Sequence, residues 1–481
     1  MTEVLEISKI DEAFIKISCD PSVAYELNDY FTFEVPGAKF MPMFRNKVWD
    51  GKIRLFNVMS GTIYAGLLEK VKIFGQERGY NMEYKSDFTK TPVSDKSIKS
   101  FLSSLDLTIE PRDYQIDALR HAVNNERGIL LSPTASGKSL IIYMLTRFYN
   151  AKTLIIVPTT SLVDQLISDF ADYGFDSASH CHGIYSGRVK DTNKQVTIST
   201  WQSIYKLPKP FFGEFDVVIG DEAHLFKARS LTSIMTKLNK CRYRFGFTGT
   251  LDNTQTNKLV LEGLFGPVYK VTTTAKLIED KHLADFKIRC LVLQYTEAEK
   301  KLAKEMEYKD EIKFLTLNSK RNKFIKDLAI NLKGNTLILF QFVENHGKAL
   351  HQLISEKAGD RKVFFVYGGV EAADREAIRK IVEKENDAII VASYGTFSTG
   401  INIKKLHNVV FASPTKSRIR ALQSIGRGLR KSDEKDEAVL YDIADDLSYK
   451  SYQNYTLRHF LERIKIYDEE RFTYKIYRYV L

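Results

Sequence analysis

From about residue 108 onward the chain repeats one pattern, a short apolar run followed by a longer amphipathic stretch. The runs at 128–131, 153–157, 195–198, 216–219 and 244–247 form one set, and those at 336–340, 362–366, 388–391 and 408–411 form a second. An apolar run without polar alternation reads as a strand covered on both faces. Helices between such strands make the crossovers of a parallel sheet. The two sets divide near residue 280. The pattern predicts an α/β fold class with two tandem, doubly wound parallel-sheet domains. In such sheets ligands bind beyond the carboxyl ends of the strands, so chemistry is expected just after these runs.

Upstream the pattern changes. The stretch 86–108 is polar, with many Ser, Thr, Lys and Asp, and reads as a linker carrying one short helix near 98–105. The expected division is a small N-terminal α+β domain at 1–90, a linker at 91–107, a first lobe at 108–278 and a second at 279–445. A Tyr-rich extension, 446–481, is expected to pack on the second lobe through a helix near 452–467 and a strand over 471–480.

Composition narrows the class. Lys and Arg number 71 against 60 Asp and Glu, a net +11. That excess favours a polyanionic partner, because basic residues near phosphates release condensed counterions. Cys19, Cys181, Cys241 and Cys290 form no C-x-x-C pair. This argues against structural zinc and against a disulfide framework, and fits a reducing cytosol. Without a basic-then-apolar leader or a run long enough for a bilayer, a soluble cytoplasmic protein is expected.

The segment 132–139, Ser-Pro-Thr-Ala-Ser-Gly-Lys-Ser, follows the run ending at Leu131 and opens a helical stretch. That is the context of a phosphate-binding loop, in which backbone N–H groups at a helix N-terminus hold phosphates. Pro133, Thr134, Ala135, Ser136 and Gly137 would line the loop, Lys138 would meet the β- and γ-phosphates of ATP, and Ser139 would bind Mg²⁺. Ser132 stands where the strict pattern wants Gly, so the loop is a variant. Asp221-Glu-Ala-His224 follows another run. There Asp221 can hold Mg²⁺ and Glu222 can deprotonate the attacking water.

With these residues in place, the chain resembles the superfamily-two helicases, whose lobes are RecA-like, and further segments follow in the family's order. Arg112-Asp-Tyr-Gln115 resembles the adenine-reading segment, which implies that Gln115 bonds the adenine edge with Tyr114 nearby. Thr248-Gly-Thr250 resembles the motif coupling hydrolysis to movement. Gln423-Ser-Ile-Gly-Arg-Gly-Leu-Arg430 resembles the sixth motif, which implies catalytic roles for Gln423, Arg427 and Arg430, the arginines neutralising γ-phosphate charge. The resemblance implies strand contacts at Thr159, Thr160, Ser199 and Thr200, and at Gly368, Arg375 and Ser393 in the second lobe. It places Gly400 beside the nucleotide. Ser393 replaces the usual Thr, and Asn402 a frequent Asp.

Over its whole length the chain is similar to phage recombination helicases. That likeness implies ATP-dependent work on branched, forked or junction DNA, and on RNA–DNA hybrids, with 3′→5′ polarity. It also implies phage recombination or replication proteins as partners and the host cytoplasm as location; a monomer is expected. Residues alone reach only an ATP-driven motor on nucleic acid. An RNA helicase, a double-strand translocase and a non-stepping ATP switch stay open as alternatives.

One N-terminal stretch stands apart. Residues 37–56 carry Lys39, Arg45, Lys47, Lys52 and Arg54 against one Asp, interleaved with Phe40, Phe44, Trp49 and Phe56. Such a mixture grips phosphates and stacks on bases, or else its aromatics form the core of a small domain. Arg45, Lys47, Lys52 and Arg54 are read as DNA-facing, and Trp49-Asp-Gly51 as a tight turn.

Overall fold

The computed structural model describes residues 3–185, 187, 190, 193–251, 255–396, 403, 405–414 and 437–481. Two compact units emerge, one of Met1–Ser132 with Gly137–Val271, the other of Thr272–Leu481 with Pro133–Ser136. No helix among the described residues is long and apolar enough to cross a membrane.

The first unit begins with strands β1 (Val4–Lys9), β2 (Phe14–Ser18), β3 (Thr32–Glu34), β4 (Lys52–Arg54), β5 (Thr62–Tyr64) and β6 (Asn81–Tyr84). They make a mixed sheet in the order β5-β2-β1-β6 and a separate β3–β4 pair. In β1, Leu5 and Ile7 are buried between partly exposed neighbours, the period-two signature of a strand with one covered face. Helices Pro21–Tyr30 and Leu68–Arg78 cover that face with Val23, Leu27, Val71 and Phe74. The first starts where it does because Asp20 accepts from the Ser22 N–H and Pro21 fills the first turn.

This sheet is seated on the helix Gln255–Phe265 by two glycines. A Cβ at Gly66 would lie 2.2 Å from the Glu262 carbonyl oxygen, and one at Gly263 would lie 2.9 Å from the Tyr64 ring. Arg127 adds a 3.2 Å ion pair to Glu12. At Gly66 the approach is backbone to backbone and at Gly263 it is backbone to ring, and neither leaves ready room for a side chain.

The rest of the first unit holds β7 (Arg127–Leu131), β8 (Thr153–Val157), β9 (Cys181–Ile184), β10 (Val196–Thr200), β11 (Val217–Asp221), β12 (Tyr243–Thr248) and β13 (Val268–Lys270). All pair in parallel, in the order β13-β7-β12-β11-β8-β10-β9. The five predicted runs are the five inner strands, and the two that the pattern misses, β9 and β13, are the edges.

The second unit holds β14 (Asp285–Gln294), β15 (Thr336–Phe340), β16 (Val363–Val366), β17 (Ile389–Ser393), β18 (Asn408–Phe411), β19 (Glu437–Asp446) and β20 (Thr473–Val480). Their order is β16-β17-β15-β18-β19-β14-β20, again all parallel. β20 extends this sheet at one edge, and the helix Tyr455–Glu469 precedes it.

Two buried charge clusters tie the C-terminal helix and β19 into the second unit. Arg463 donates to Asp442 at 2.7 and 2.9 Å, and Tyr467 donates to the same carboxylate at 2.7 Å. Arg321 donates to Asp445 at 2.8 and 3.0 Å, joined by Tyr295 at 2.7 Å. Buried charges persist where they are paired and hydrogen-bonded, as both aspartates are here.

Candidate functional site

The phosphate loop leaves β7 at Leu131 and turns into the helix Lys138–Tyr149. Three features shape it. The Ser132 N–H donates to the Thr248 carbonyl at 2.9 Å. The Ser136 hydroxyl donates to the Pro133 carbonyl at 2.6 Å. Ala135 and Gly137 adopt φ of 67° and 74°, in the left-handed region. No side chain caps this helix, so its first N–H groups remain available to an anion.

Gln115 braces the loop from the helix Asp113–Asn125. Its amide nitrogen donates to the Gly137 carbonyl at 3.3 Å, and its amide oxygen accepts from the Arg112 N–H at 2.9 Å. A Cβ at position 137 would sit 2.5 Å from that nitrogen and displace it, and the φ of 74° is itself one that favours glycine. The amide read from the sequence as adenine-facing is thus tied to the loop and to its own helix start. Arg112 donates to the Tyr114 hydroxyl at 2.8 Å, and Tyr114 is buried.

Beside the loop, β11 ends at Asp221 and delivers the acidic box. Lys138 Nζ lies 3.7 Å from Glu222 Oε1. Glu222 Oε2 lies 3.3 Å from His224 Nδ1, and the same nitrogen is 2.9 Å from the Thr248 hydroxyl. That hydroxyl donates to the Thr250 carbonyl at 2.9 Å. One polar chain therefore runs from the loop lysine through the box to the Thr-Gly-Thr motif. Glu222 holds it with φ of 52°, a strained value for a residue with a side chain.

Asp221 is partly buried at the end of β11. Burial pushes its carboxyl up to about 6, Lys138 acts against the rise and the Glu222 charge adds to it. A carboxylate held in that state is one whose charge a cation would relieve. Ser139 and Asp221 offer hard oxygen donors, the kind Mg²⁺ takes in small number while keeping water and phosphate ligands. No set of three or more His, Cys, Asp or Glu able to hold a metal by themselves occurs among the described residues. The donor set fits a magnesium ion that arrives with phosphate. Ser139 also meets a partner absent from the sequence reading, the Tyr173 hydroxyl at 2.7 Å.

The residues read as strand contacts divide. Thr160 is exposed at the start of the helix Thr160–Asp172, and the partly exposed Thr159 precedes it. Ser199 and Thr200 are buried; the Ser199 hydroxyl donates to the Ile184 carbonyl, and the Thr200 hydroxyl faces Ser203 at 2.9 Å. Their side chains are turned into the fold. In the second unit, Gly368 is exposed with open space around it, Arg375 lies in the first turn of the helix Ala372–Lys384, and the Ser393 hydroxyl meets Thr396 at 2.8 Å. Gly400, Asn402, Gln423, Arg427 and Arg430 lie outside the described residues.

In the N-terminal module the basic residues and the aromatics separate as well. Arg45, Lys47, Lys52 and Arg54 are all exposed, and Arg54 is ion-paired with Asp50. Phe56 joins the core, Phe40 and Phe44 are exposed, and the Trp49 indole N–H donates to the Lys52 carbonyl at 2.8 Å. The chain between β3 and β4 is longer than a tight hairpin and includes the short helix Pro42–Arg45. Gly51, with φ of 80°, returns it to β4.

Comparison with known proteins agrees with this architecture. Three family descriptions match in chain order: "DNA helicase UvsW, N-terminal" over 5–85, "Type III restriction enzyme, res subunit" over 108–253, and "Helicase conserved C-terminal domain" over 319–432. The ATP-dependent DNA helicase UvsW of Enterobacteria phage T4 is 38% identical, over 96% of this chain and 97% of that protein. The chain belongs to the UvsW family of ATP-dependent DNA helicases. A crystal structure of T4 UvsW aligns over 100% of both chains with a TM-score of 0.53 and 36% identity. Beyond the UvsW family, the DNA 3′-5′ translocase XPB2 of Sulfurisphaera tokodaii is 26% identical over 70% of this chain and 81% of its own. A fragment of a type I restriction enzyme HsdR subunit from Vibrio vulnificus shares the fold, at a TM-score of 0.59 and 18% identity over 85% of this chain and 74% of that one.

Proposed function

We propose that this UvsW-family helicase acts on branched DNA, using ATP to migrate junctions, regress forks and unwind RNA–DNA hybrids in the cytoplasm of a phage-infected cell. The polar chain Lys138–Glu222–His224–Thr248 is the observation that best supports the ATP-driven motor in this reading, and the choice of branched DNA rests on the likeness to UvsW. It joins the group that would meet the phosphates to the motif that would pass hydrolysis on to movement.

In the proposed cycle, ATP phosphates sit on the loop from Pro133 to Ser139, with Lys138 on the β- and γ-phosphates. Ser139 and Asp221 would hold Mg²⁺, which supplies charge neutralisation at the phosphates. Glu222 takes a proton from the attacking water, and Arg427 and Arg430 are the cations assigned to the γ-phosphate. When the γ-phosphate leaves, Lys138 and Glu222 lose a shared neighbour and the bond from His224 to Thr248 carries the change onward. Thr159, Thr160, Gly368 and Arg375 are the proposed strand contacts. The module 1–90 would add its exposed Arg45, Lys47 and Lys52 as a second grip on the duplex arms.

The test is ATP turnover with matched substrates: none, single strand, duplex, four-way junction, RNA and RNA–DNA hybrid. Greatest stimulation by junctions or forks is expected. Stimulation by RNA alone would replace this reading with an RNA helicase, and stimulation by duplex without any strand separation would replace it with a double-strand translocase.

A further inference from the structure

Tyr173 closes the helix Thr160–Asp172, and its hydroxyl lies 2.7 Å from Ser139 Oγ. The ring is set in an aromatic cluster, 5.4 Å from Tyr143, which itself packs on Phe170 and Phe175. Arg147 closes the cluster, donating to the Tyr143 hydroxyl at 2.9 Å and stacking over Phe175. The phenol is therefore fixed from behind, with its hydroxyl turned to the second residue of the phosphate-loop helix.

A serine that serves a cation must present a lone pair to it and direct its own proton elsewhere. A phenol oxygen at 2.7 Å can accept that proton. Outer hydrogen-bond partners of this kind orient a metal ligand and tune its basicity. We infer that Tyr173 is a positioning residue for the metal–nucleotide site, orienting the Ser139 hydroxyl so that its lone pairs face the metal that accompanies the nucleotide. Gln115 does the corresponding work on the other side, holding the Gly137 carbonyl. The loop–helix junction is thus braced twice, by two different helices.

The element that carries Tyr173 gives this brace a further role. Its helix begins at Thr160, a proposed strand contact, and ends at the residue touching Ser139. A rigid helix of this kind links a contact with nucleic acid to the metal ligand.

This inference rests on the assignment of Ser139 as a metal ligand, and the experiment separates the two. Full-length wild type, Tyr173→Phe, Ser139→Ala and Tyr143→Phe are compared for ADP affinity without metal, for Mn²⁺ affinity of the ADP complex by electron paramagnetic resonance, and for DNA-stimulated turnover against Mg²⁺ concentration. Tyr173→Phe is expected to bind metal-free ADP like wild type and to bind Mn²⁺ about tenfold more weakly, the lower end of the range for an outer-shell partner. Tyr143→Phe, which loses a hydroxyl in the same cluster, is expected to keep wild-type Mn²⁺ affinity. If Ser139→Ala weakens Mn²⁺ binding and Tyr173→Phe does not, the positioning role is wrong while the ligand assignment stands. Wild-type Mn²⁺ affinity in Ser139→Ala overturns both. A drop in metal-free ADP affinity matching the drop in Mn²⁺ affinity would show Tyr173 to be merely a support for the loop.

Discussion

His224 Nδ1 sits 2.9 Å from the Thr248 hydroxyl, joining the end of the acidic box to the end of the neighbouring strand β12. Both groups are buried, so neither can replace the other with water at low cost. Thr248→Val keeps the shape and removes the hydroxyl. Strand displacement is expected to fall about tenfold, on the order of the 1–3 kcal/mol lost when a buried partner is left unmade. ATP turnover on the same fork should fall less. Phosphate release and strand displacement measured together test this; equal losses would mean that the bond serves the chemistry alone.

Lys138→Ala should abolish ATP turnover while leaving DNA affinity close to wild type, because Lys138 faces Glu222 and the phosphate loop. A turnover equal to wild type would remove the assigned site. Phosphate release and fluorescence anisotropy on a labelled junction make the comparison.

Asp221 gives a prediction with an unusual sign. Its carboxyl is raised from an ordinary 3.8 to about 6, chiefly by burial. An acid with a raised folded-state value costs stability as pH climbs from about 4 to about 6, and the cost persists above that window. Asp221→Asn should therefore raise the melting temperature of nucleotide-free protein at neutral pH while eliminating turnover. In the wild type, Mn²⁺ affinity of the ADP complex should weaken as pH drops through about 6, since the proton competes with the metal. Scanning calorimetry on both proteins reads the first effect, and a melting temperature lowered by the substitution would contradict it.

Arg463→Ala should destabilise by about 3–5 kcal/mol, the cost of leaving a buried charge without its partner. Asp442 is fully buried and takes both guanidinium contacts from Arg463. Denaturant unfolding checks the magnitude. A loss below about 1 kcal/mol, the value of an exposed pair, would mean that water reaches Asp442.

Neutralising Arg45, Lys47, Lys52 and Arg54 together should weaken junction binding and flatten its salt dependence, by a slope of about 0.9 for each lost phosphate contact. Arg54 should contribute least of the four, because Asp50 already pairs with it. Unchanged junction affinity would remove the DNA-facing role of that segment.

The inner strands were legible because a strand covered on both faces carries a mostly apolar run: β8 is buried at every position and apolar after Thr153. The edges β9 and β13 escaped, being short and covered less completely. β19 escaped for another reason. It lies between β18 and β14, yet Asp442 and Asp445 interrupt its apolar run. Acids read as exposure in a sequence, and only the arrival of Arg463 and Arg321 from distant helices makes them interior residues. The N-terminal aromatics show the same limit, since Phe56 and Phe40 look alike in sequence and only packing sends one to the core and the other to the surface.

The phosphate loop, the acidic box and the order of the motifs were determined by the sequence itself, because each depends on residue type over a few consecutive positions and on a strand immediately before it. Which groups touch was decided by the tertiary structure. Gln115 to Gly137, His224 to Thr248 and Tyr173 to Ser139 join residues far apart in the chain, and their 2.7–3.3 Å separations depend on how helices cross the sheet. Spacing along a chain carries no information about such crossings. Hydrogen bonds, which weaken steeply beyond a few tenths of an ångström, are decided by them.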